Sequence, residues 1–278
     1  MEVVRSKYAG ACYGVQRALD LAESAILGCE PAVTLGPIIH NPKVVRHLSE
    51  QGIRSISDLD EANGDIVIVR SHGVTPEVME DIERRGLEVI DATCPHVARA
   101  QKAAEELALQ GCTVVVVGEA GHPEVEGLTA YARKGGARTL VVKDPADLPD
   151  DLVEPIGVVV QTTQTRDSLD AVVRALEEKG IEPQVSNTIC FATRQRQDAA
   201  AALSSQVDVM IILGGKNSSN TTRLFEICNA AAPAAYHIED VEDIDPSWFD
   251  GCATVGVSAG ASTPEEQIKE LVDCLERM

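Results

Sequence analysis

The chain has 278 residues, of which 44% are hydrophobic and only 3% aromatic, and its formal net charge is −20. That length suffices for two or three compact domains, with cores that must be built from Val, Ile, Leu and Ala. The charge excludes a general basic face, so neither nucleic acid nor an anionic membrane is an expected partner, whereas an anionic small molecule remains compatible where local donors overcome the global field.

In chain order, Met1 to Lys7 carry no apolar stretch of signal-peptide length. No later run approaches the roughly 18 apolar residues of a membrane helix, so a cytoplasmic protein is expected. The eight cysteines then favour metal, redox or core roles over structural disulfides. Cys12, in Ala-Gly-Ala-Cys12-Tyr-Gly-Val, precedes a helical stretch with Val15, Ala18, Leu19, Ala22 and Ile26 on one face. Short apolar runs at Ile66 to Val69, Thr113 to Val117, Gly157 to Val160 and Val209 to Leu213 read as buried parallel strands. Helical segments follow polar loops, as at Pro76 to Ile82 and Ser168 to Lys179. The alternation implies α/β layers with mainly parallel sheets. Arg85 to Cys94 and Lys179 to Cys190 match as an internal repeat. Asn41-Pro42, Thr75-Pro76 and Thr263-Pro264 place a capping side chain before a proline at the first helical position, and His122-Pro123 is a weaker version.

Cys12, Cys94 and Cys190 share one setting: a short strand before, a helix after. They stand 82 and 96 residues apart and divide the chain into similar thirds. The expected domains are 12–94, 95–190, and 191–278 completed by 1–11. Three thiols at equivalent positions suggest one site on an approximate three-fold axis. A helix N-terminus favours thiolate over thiol, and Arg17, Arg99 and Arg194 add positive charge within about one and a half turns. The spacing alone leaves an iron–sulfur cluster, zinc and inert buried cysteines all open. Cys29, at a helix end, and Cys112, Cys228, Cys252 and Cys274 read as ordinary small residues.

Six loops between a predicted strand and a predicted helix carry hydroxyls, amides and imidazoles: Ile39 to Pro42, Arg70 to Val74, Gly121 to Glu124, Gln161 to Gln164, Lys216 to Asn220 and Ser258 to Ser262. In an open parallel sheet this is the ligand-binding edge, and the mix suits a phosphate or diphosphate. His47 and His237 lack this context and read as surface residues. Glu124 is the one acid directly beside this edge. It reads equally as a desolvated proton carrier and as a first-turn acid facing its helix dipole; Glu126 should point elsewhere. No P-loop and no dinucleotide fingerprint is present, so electrons for a redox reaction would come from a separate carrier.

Together these segments resemble the 4-hydroxy-3-methylbut-2-enyl diphosphate reductases of the non-mevalonate isoprenoid pathway. The resemblance rests on Gly10 to Ala18, His40-Asn41, Ser71 to Val74, Asp91 to Pro95, Gly121 to Gly127, Gln161 to Thr163, Thr188 to Cys190 with Ala192-Thr193 and Arg196-Gln197, Lys216 to Asn220 and Ala259 to Ser262. It implies three α/β domains in pseudo-three-fold arrangement around one 4Fe–4S cluster held by Cys12, Cys94 and Cys190. It places diphosphate ligands at His40, His72, His122, Ser218, Asn220 and Ser262, with Ser219 beside them. Glu124 falls at the proton-relay acid, with His122 orienting it, and Thr162 at the threonine beside the substrate's hydroxymethyl end, with Thr163 adjacent. The implied reaction is reductive loss of an allylic hydroxyl from the hydroxymethylbutenyl diphosphate, giving isopentenyl and dimethylallyl diphosphates. The implied electron donor is of ferredoxin or flavodoxin type, for which Arg133, Lys134 and Arg138 are a candidate docking cluster. Ala11, His96 and Gly215 depart from the family's usual aromatic residue, Leu and Ser. The rival readings are a non-redox hydro-lyase, which would need no reductant, and a non-catalytic zinc or phosphate module, which would contain no sulfide.

Overall fold

The computed structural model describes residues 1–27, 31–64 and 66–278; Cys29 lies outside them. The chain divides into two compact units. The terminal unit comprises Met1–Gln16, His40–Val44 and Phe191–Met278, and the central unit Arg17–Ile39 and Val45–Cys190.

The central unit contains two four-stranded, all-parallel sheets. One has strands β2 (Ala32–Leu35), β3 (Arg54–Ile56), β4 (Ile66–Val69) and β5 (Val89–Asp91), in the order β3-β2-β4-β5. The other has β6 (Thr113–Val117), β7 (Thr139–Val142), β8 (Ile156–Val160) and β9 (Gln184–Ser186), in the order β7-β6-β8-β9. The terminal unit holds a third parallel sheet, of β1 (Glu2–Arg5), β10 (Val209–Leu213), β11 (Ala234–Ile238) and β12 (Thr254–Ala259), ordered β11-β10-β12-β1. All three share one connectivity, with the first and third strands of each run at the centre. In the terminal unit the fourth place is filled by β1, with Glu2–Arg5 in register against Thr254 to Val257.

The helices are α1 (Tyr13–Leu27), α2 (Pro42–Glu50), α3 (Pro76–Arg85), α4 (Pro95–Leu109), α5 (Pro123–Lys134), α6 (Arg166–Glu178), α7 (Phe191–Ser204), α8 (Ser219–Ala231) and α9 (Glu265–Glu276). None is long and apolar enough to cross a membrane, among the described residues. The central strands β4, β6, β8 and β10 are buried throughout, because helices cover both faces of their sheets. On one face of the β6–β8 sheet, Val114, Val116 and Val159 pack against Ala100, Ala104 and Leu107 of α4 and Leu128 of α5. On the other, Val115, Val117, Val158 and Val160 meet Leu169, Val172 and Leu176 of α6. Small side chains let helix and sheet approach closely: a Cβ on Gly157 would stand 3.0 Å from Leu107. Aliphatic side chains and the Cys112 thiol supply these two clusters, which is how so few aromatics suffice.

The repeat read from sequence has a backbone counterpart. Gly86 (φ 66°) and Gly180 (φ 81°) adopt the left-handed conformation just past α3 and α6, which an L side chain adopts at a cost. Each is followed by an edge strand and then by Cys94 or Cys190. The helix starts differ from expectation in three places. Thr75 holds the N-cap position of α3 but makes no side-chain capping bond. Thr263 does not cap α9; its hydroxyl donates to the Leu213 carbonyl at 3.1 Å, and Pro264 occupies the cap position. His122 is a true cap, its Nδ1 accepting from the Glu124 N–H at 3.1 Å. Asn41 behaves as expected, its Oδ1 accepting from the Val44 N–H.

Candidate active site

Each of the three cysteines immediately precedes a helix: α1, α4 and α7. Their backbone N–H groups make one repeated bond. Cys94 donates to the Ser71 carbonyl at 3.0 Å, Cys190 to Thr162 at 3.0 Å, and Cys12 to Ala261 at 3.1 Å. Ser71, Thr162 and Ala261 each stand two residues beyond the end of the third strand of their sheet: β4, β8 and β12. Every cysteine is thereby tied to a polar loop by the same backbone geometry, within a single unit in each case. Cys190 is buried, and Cys12 and Cys94 are half-buried free thiols. Cys94 occupies the N-cap position of α4 without capping through its side chain.

In the central unit, the bonds of Cys94 and Cys190 lead to the Ser71 and Thr162 loops. Glu124, in the first turn of α5, is only 1% exposed. Its Oε1 accepts from the Thr162 N–H at 2.6 Å and its Oε2 from the Thr162 hydroxyl at 2.9 Å. Burial raises its pKa from 4.5 to about 7, although both Thr162 bonds favour the carboxylate. A first-turn acid placed only to face the helix dipole would be exposed and ionised; this one is neither fully ionised at neutrality nor accessible. The His122 Nδ1 accepts a backbone proton, so the neutral ring carries its own proton on Nε2 and offers it as a donor. The His72 and His122 rings meet edge-on with centroids 5.6 Å apart. Gly73 beside His72 has φ 71°, and a Cβ there would stand 2.6 Å from the Gln101 amide. Thr163, half-buried, accepts from the Gln161 amide at 2.9 Å. Glu126 is exposed, as expected.

In the terminal unit, Ser218, Ser219 and Asn220 are buried at the start of α8, with Ser218 as N-cap. Neither Nδ2 nor Oδ1 of Asn220 has a hydrogen-bond partner among the described residues. A buried amide left so is costly unless a ligand completes it. Ser262 donates through its hydroxyl to the His40 carbonyl at 3.0 Å, and the Asn41 amide donates to the Ser262 carbonyl at 2.9 Å. His40, half-buried, is thus held beside the Ser262 loop. A Cβ on Gly215 would lie 2.8 Å from the same His40 carbonyl, so this departure belongs to the close packing around His40.

Three side chains escaped assignment from sequence. Asn41 fastens the His40 and Ser262 loops together, Gln161 accepts from the Glu119 N–H at 3.0 Å, and Arg196 is buried and donates to the Gly10 and Ala192 carbonyls at 2.6 and 3.1 Å. Asn41 and Arg196 lie in the matched motifs; nothing in their spacing marks their partners. Other expectations need correction. The Arg17 guanidinium donates to the Thr93 and Asp91 carbonyls, and Arg194 lies over the Phe191 ring at the surface. His237 is half-buried on β11, with Nε2 against the Gly214 carbonyl at 2.9 Å and a pKa lowered by burial. Of the basic cluster, Lys134 pairs with Glu80 at 3.0 Å, Arg138 with Asp151 at 3.2 Å, and Arg133 bonds the Thr139 hydroxyl.

Repeated parallel α/β modules, each tying one cysteine to a polar loop, with a buried, proton-holding carboxyl in the central unit, mark a modular, cysteine-bearing α/β enzyme. The family model described as LytB protein matches residues 3–276, and the chain belongs to that family. A relative from Geobacter sulfurreducens named 4-hydroxy-3-methylbut-2-enyl diphosphate reductase is 48% identical over 273 residues, covering 98% of this chain and 96% of the relative. One of the same name from Aquifex aeolicus is 44% identical over 277 residues, covering 98% and 96%. A solved structure of (E)-4-hydroxy-3-methyl-but-2-enyl diphosphate reductase, described as the terminal enzyme of the non-mevalonate pathway, is 42% identical with a TM-score of 0.74, covering 100% of both chains. A solved structure of the E-1-hydroxy-2-methyl-but-2-enyl-4-diphosphate reductase from Plasmodium falciparum is 29% identical with a TM-score of 0.91, covering 99% of this chain and 87% of that one.

Proposed function

We propose that this chain reduces (E)-4-hydroxy-3-methylbut-2-enyl diphosphate to isopentenyl and dimethylallyl diphosphates in the cytoplasm. One 4Fe–4S cluster held by Cys12, Cys94 and Cys190 serves the reaction, with electrons from a ferredoxin- or flavodoxin-type carrier. The observation that carries this reading is the repeated bond from each cysteine N–H to the second residue past a central strand. Three soft sulfur donors in identical settings suit a symmetric cluster, whereas a mixed nitrogen and oxygen set would suit other metals. The domain division 12–94, 95–190, and 191–278 with 1–11 is part of the same proposal, each third presenting one cysteine.

The overall reaction adds two electrons and two protons to the alcohol, breaks the allylic C–O bond, and releases water. When bound, the cluster supplies an iron without a protein ligand, acting as Lewis acid towards the hydroxyl and as the electron source. The protein's own groups do the rest. His40, His72, His122, Ser218, Ser219, Asn220 and Ser262 bind the diphosphate, and Asn220 brings an amide that has no partner among the described residues. His122 donates from Nε2 because its Nδ1 is already an acceptor. Glu124 holds a proton at a carboxyl poised near neutrality, and Thr162, with Thr163 beside it, fixes the orientation of that carboxyl at the substrate's hydroxymethyl end. The test is anaerobic purification with iron and sulfide analysis, followed by turnover of the hydroxymethylbutenyl diphosphate with reduced viologen. A colourless, sulfide-free protein, or turnover that needs no reductant, would favour the rivals.

A further inference from the structure

The structure points to a docking face for the electron carrier around the Cys12 loop, rather than at Arg133, Lys134 and Arg138. We propose that Lys7, Tyr8, Tyr13, Phe191 and Arg194 form the surface on which a small acidic one-electron carrier protein docks; the inference rests on the redox reading above. All five lie in the terminal unit. Tyr13 and Phe191 directly follow Cys12 and Cys190 in the chain, and they are 69% and 57% exposed. In a chain with only eight Phe, Tyr and Trp residues, leaving two in water beside candidate cluster ligands is costly without a partner. Arg196 makes the two neighbours, since its guanidinium joins Gly10, three residues before Tyr13, to Ala192, one after Phe191.

Charge supports the choice of occupant. The chain carries 44 acidic residues against 24 Lys and Arg, and two cations of the basic cluster on the central unit are engaged: Lys134 and Arg138 are paired with acids. Lys7 and Arg194 instead lie over aromatic rings, at 5.3 Å from Tyr8 and 5.4 Å from Phe191. A cation over a ring keeps its positive charge available outward. Exposed aromatic anchors with unneutralised cations are the composition of a docking face for an acidic protein. In each docking event the carrier gives up one electron and is oxidised. Two events per turnover supply the electrons for C–O cleavage, and the two protons come from Glu124 and water.

The test uses the cluster-loaded protein and an acidic [2Fe–2S] ferredoxin kept reduced by NADPH and its reductase. Lys7→Glu combined with Arg194→Glu is compared with wild type and with Arg174→Glu combined with Lys269→Glu, two exposed cations elsewhere. The expected result for the first pair is a KM for ferredoxin raised by about tenfold or more and a flattened salt dependence. Iron content and viologen-driven turnover stay at the wild-type level, and the second pair changes neither rate. Ferredoxin binding followed by calorimetry should weaken in parallel. Unchanged ferredoxin kinetics in the Lys7 and Arg194 double variant would overturn the proposal, as would an equal loss in the viologen assay. A wild-type protein without viologen-driven turnover would instead overturn the reductase reading.

Discussion

Alkaline pH removes the proton that Glu124 is built to hold. Burial raises this carboxyl from 4.5 to about 7, a shift worth about 3 kcal/mol between its two protonation states. In the free protein the carboxyl is therefore about half protonated at pH 7, roughly a tenth at pH 8 and roughly a hundredth at pH 9. If Glu124 delivers a proton, kcat/KM for the diphosphate should fall about tenfold per unit above pH 7, measured with electrochemically reduced methyl viologen. The substrate's own ionisation could imitate such a limb, so a variant must move it. Thr162→Val removes the hydroxyl that donates to Oε2 at 2.9 Å and favours the charged form. The limb should then move to higher pH. Glu124→Gln keeps the shape and the acceptor for the Thr162 N–H, and should lose about 10²–10⁴-fold in turnover with no limb near neutrality. A wild-type profile flat from pH 6 to 9, or a Gln variant within threefold of wild type, would refute the assignment.

Other outcomes follow from the same geometry. Between pH 4.5 and about 7 the folded carboxyl of Glu124 keeps a proton that the unfolded chain releases; its contribution to stability is full below that window and lost as pH rises through it. The thermal midpoint of Glu124→Gln relative to wild type should therefore climb over this window, and a constant difference would contradict the raised pKa. Asn220→Leu removes two amide atoms that lack partners among the described residues. The unliganded fold should be unchanged or stabilised by about 1 kcal/mol, while KM for the diphosphate rises at least about tenfold; an unchanged KM would take Asn220 out of the cradle. Ser262→Ala removes the bond to the His40 carbonyl, and should raise KM with little effect on iron content.

Much of the fold was legible because buried parallel strands write themselves as apolar runs, and the short, all-β-branched Val114 to Val117 favours a strand over a helix. The six polar loops were legible for the same reason: each lies where such a run stops. What escaped was set by partners distant in the chain. Thr263 looks like a cap, but the Leu213 carbonyl captures its hydroxyl. His237 looks like an exposed strand residue, but Gly214 and burial hold it. Arg133, Lys134 and Arg138 look like a basic patch until Glu80 and Asp151 meet two of them. The environment of Glu124 was undecidable from sequence because a first-turn acid is as easily exposed as buried, and the two bonds from Thr162 come from 38 residues away. The bond that makes the three cysteines equivalent joins backbone atoms, which no side-chain pattern records.

Iron and acid-labile sulfide per chain, measured after anaerobic purification of wild type and single Cys→Ser variants, test the centre of the account. About four of each are expected in wild type, a marked loss in Cys12→Ser, Cys94→Ser and Cys190→Ser alike, and wild-type content in Cys112→Ser and Cys228→Ser. Full iron and sulfide in any of the first three, or a loss in the last two as large, would contradict it.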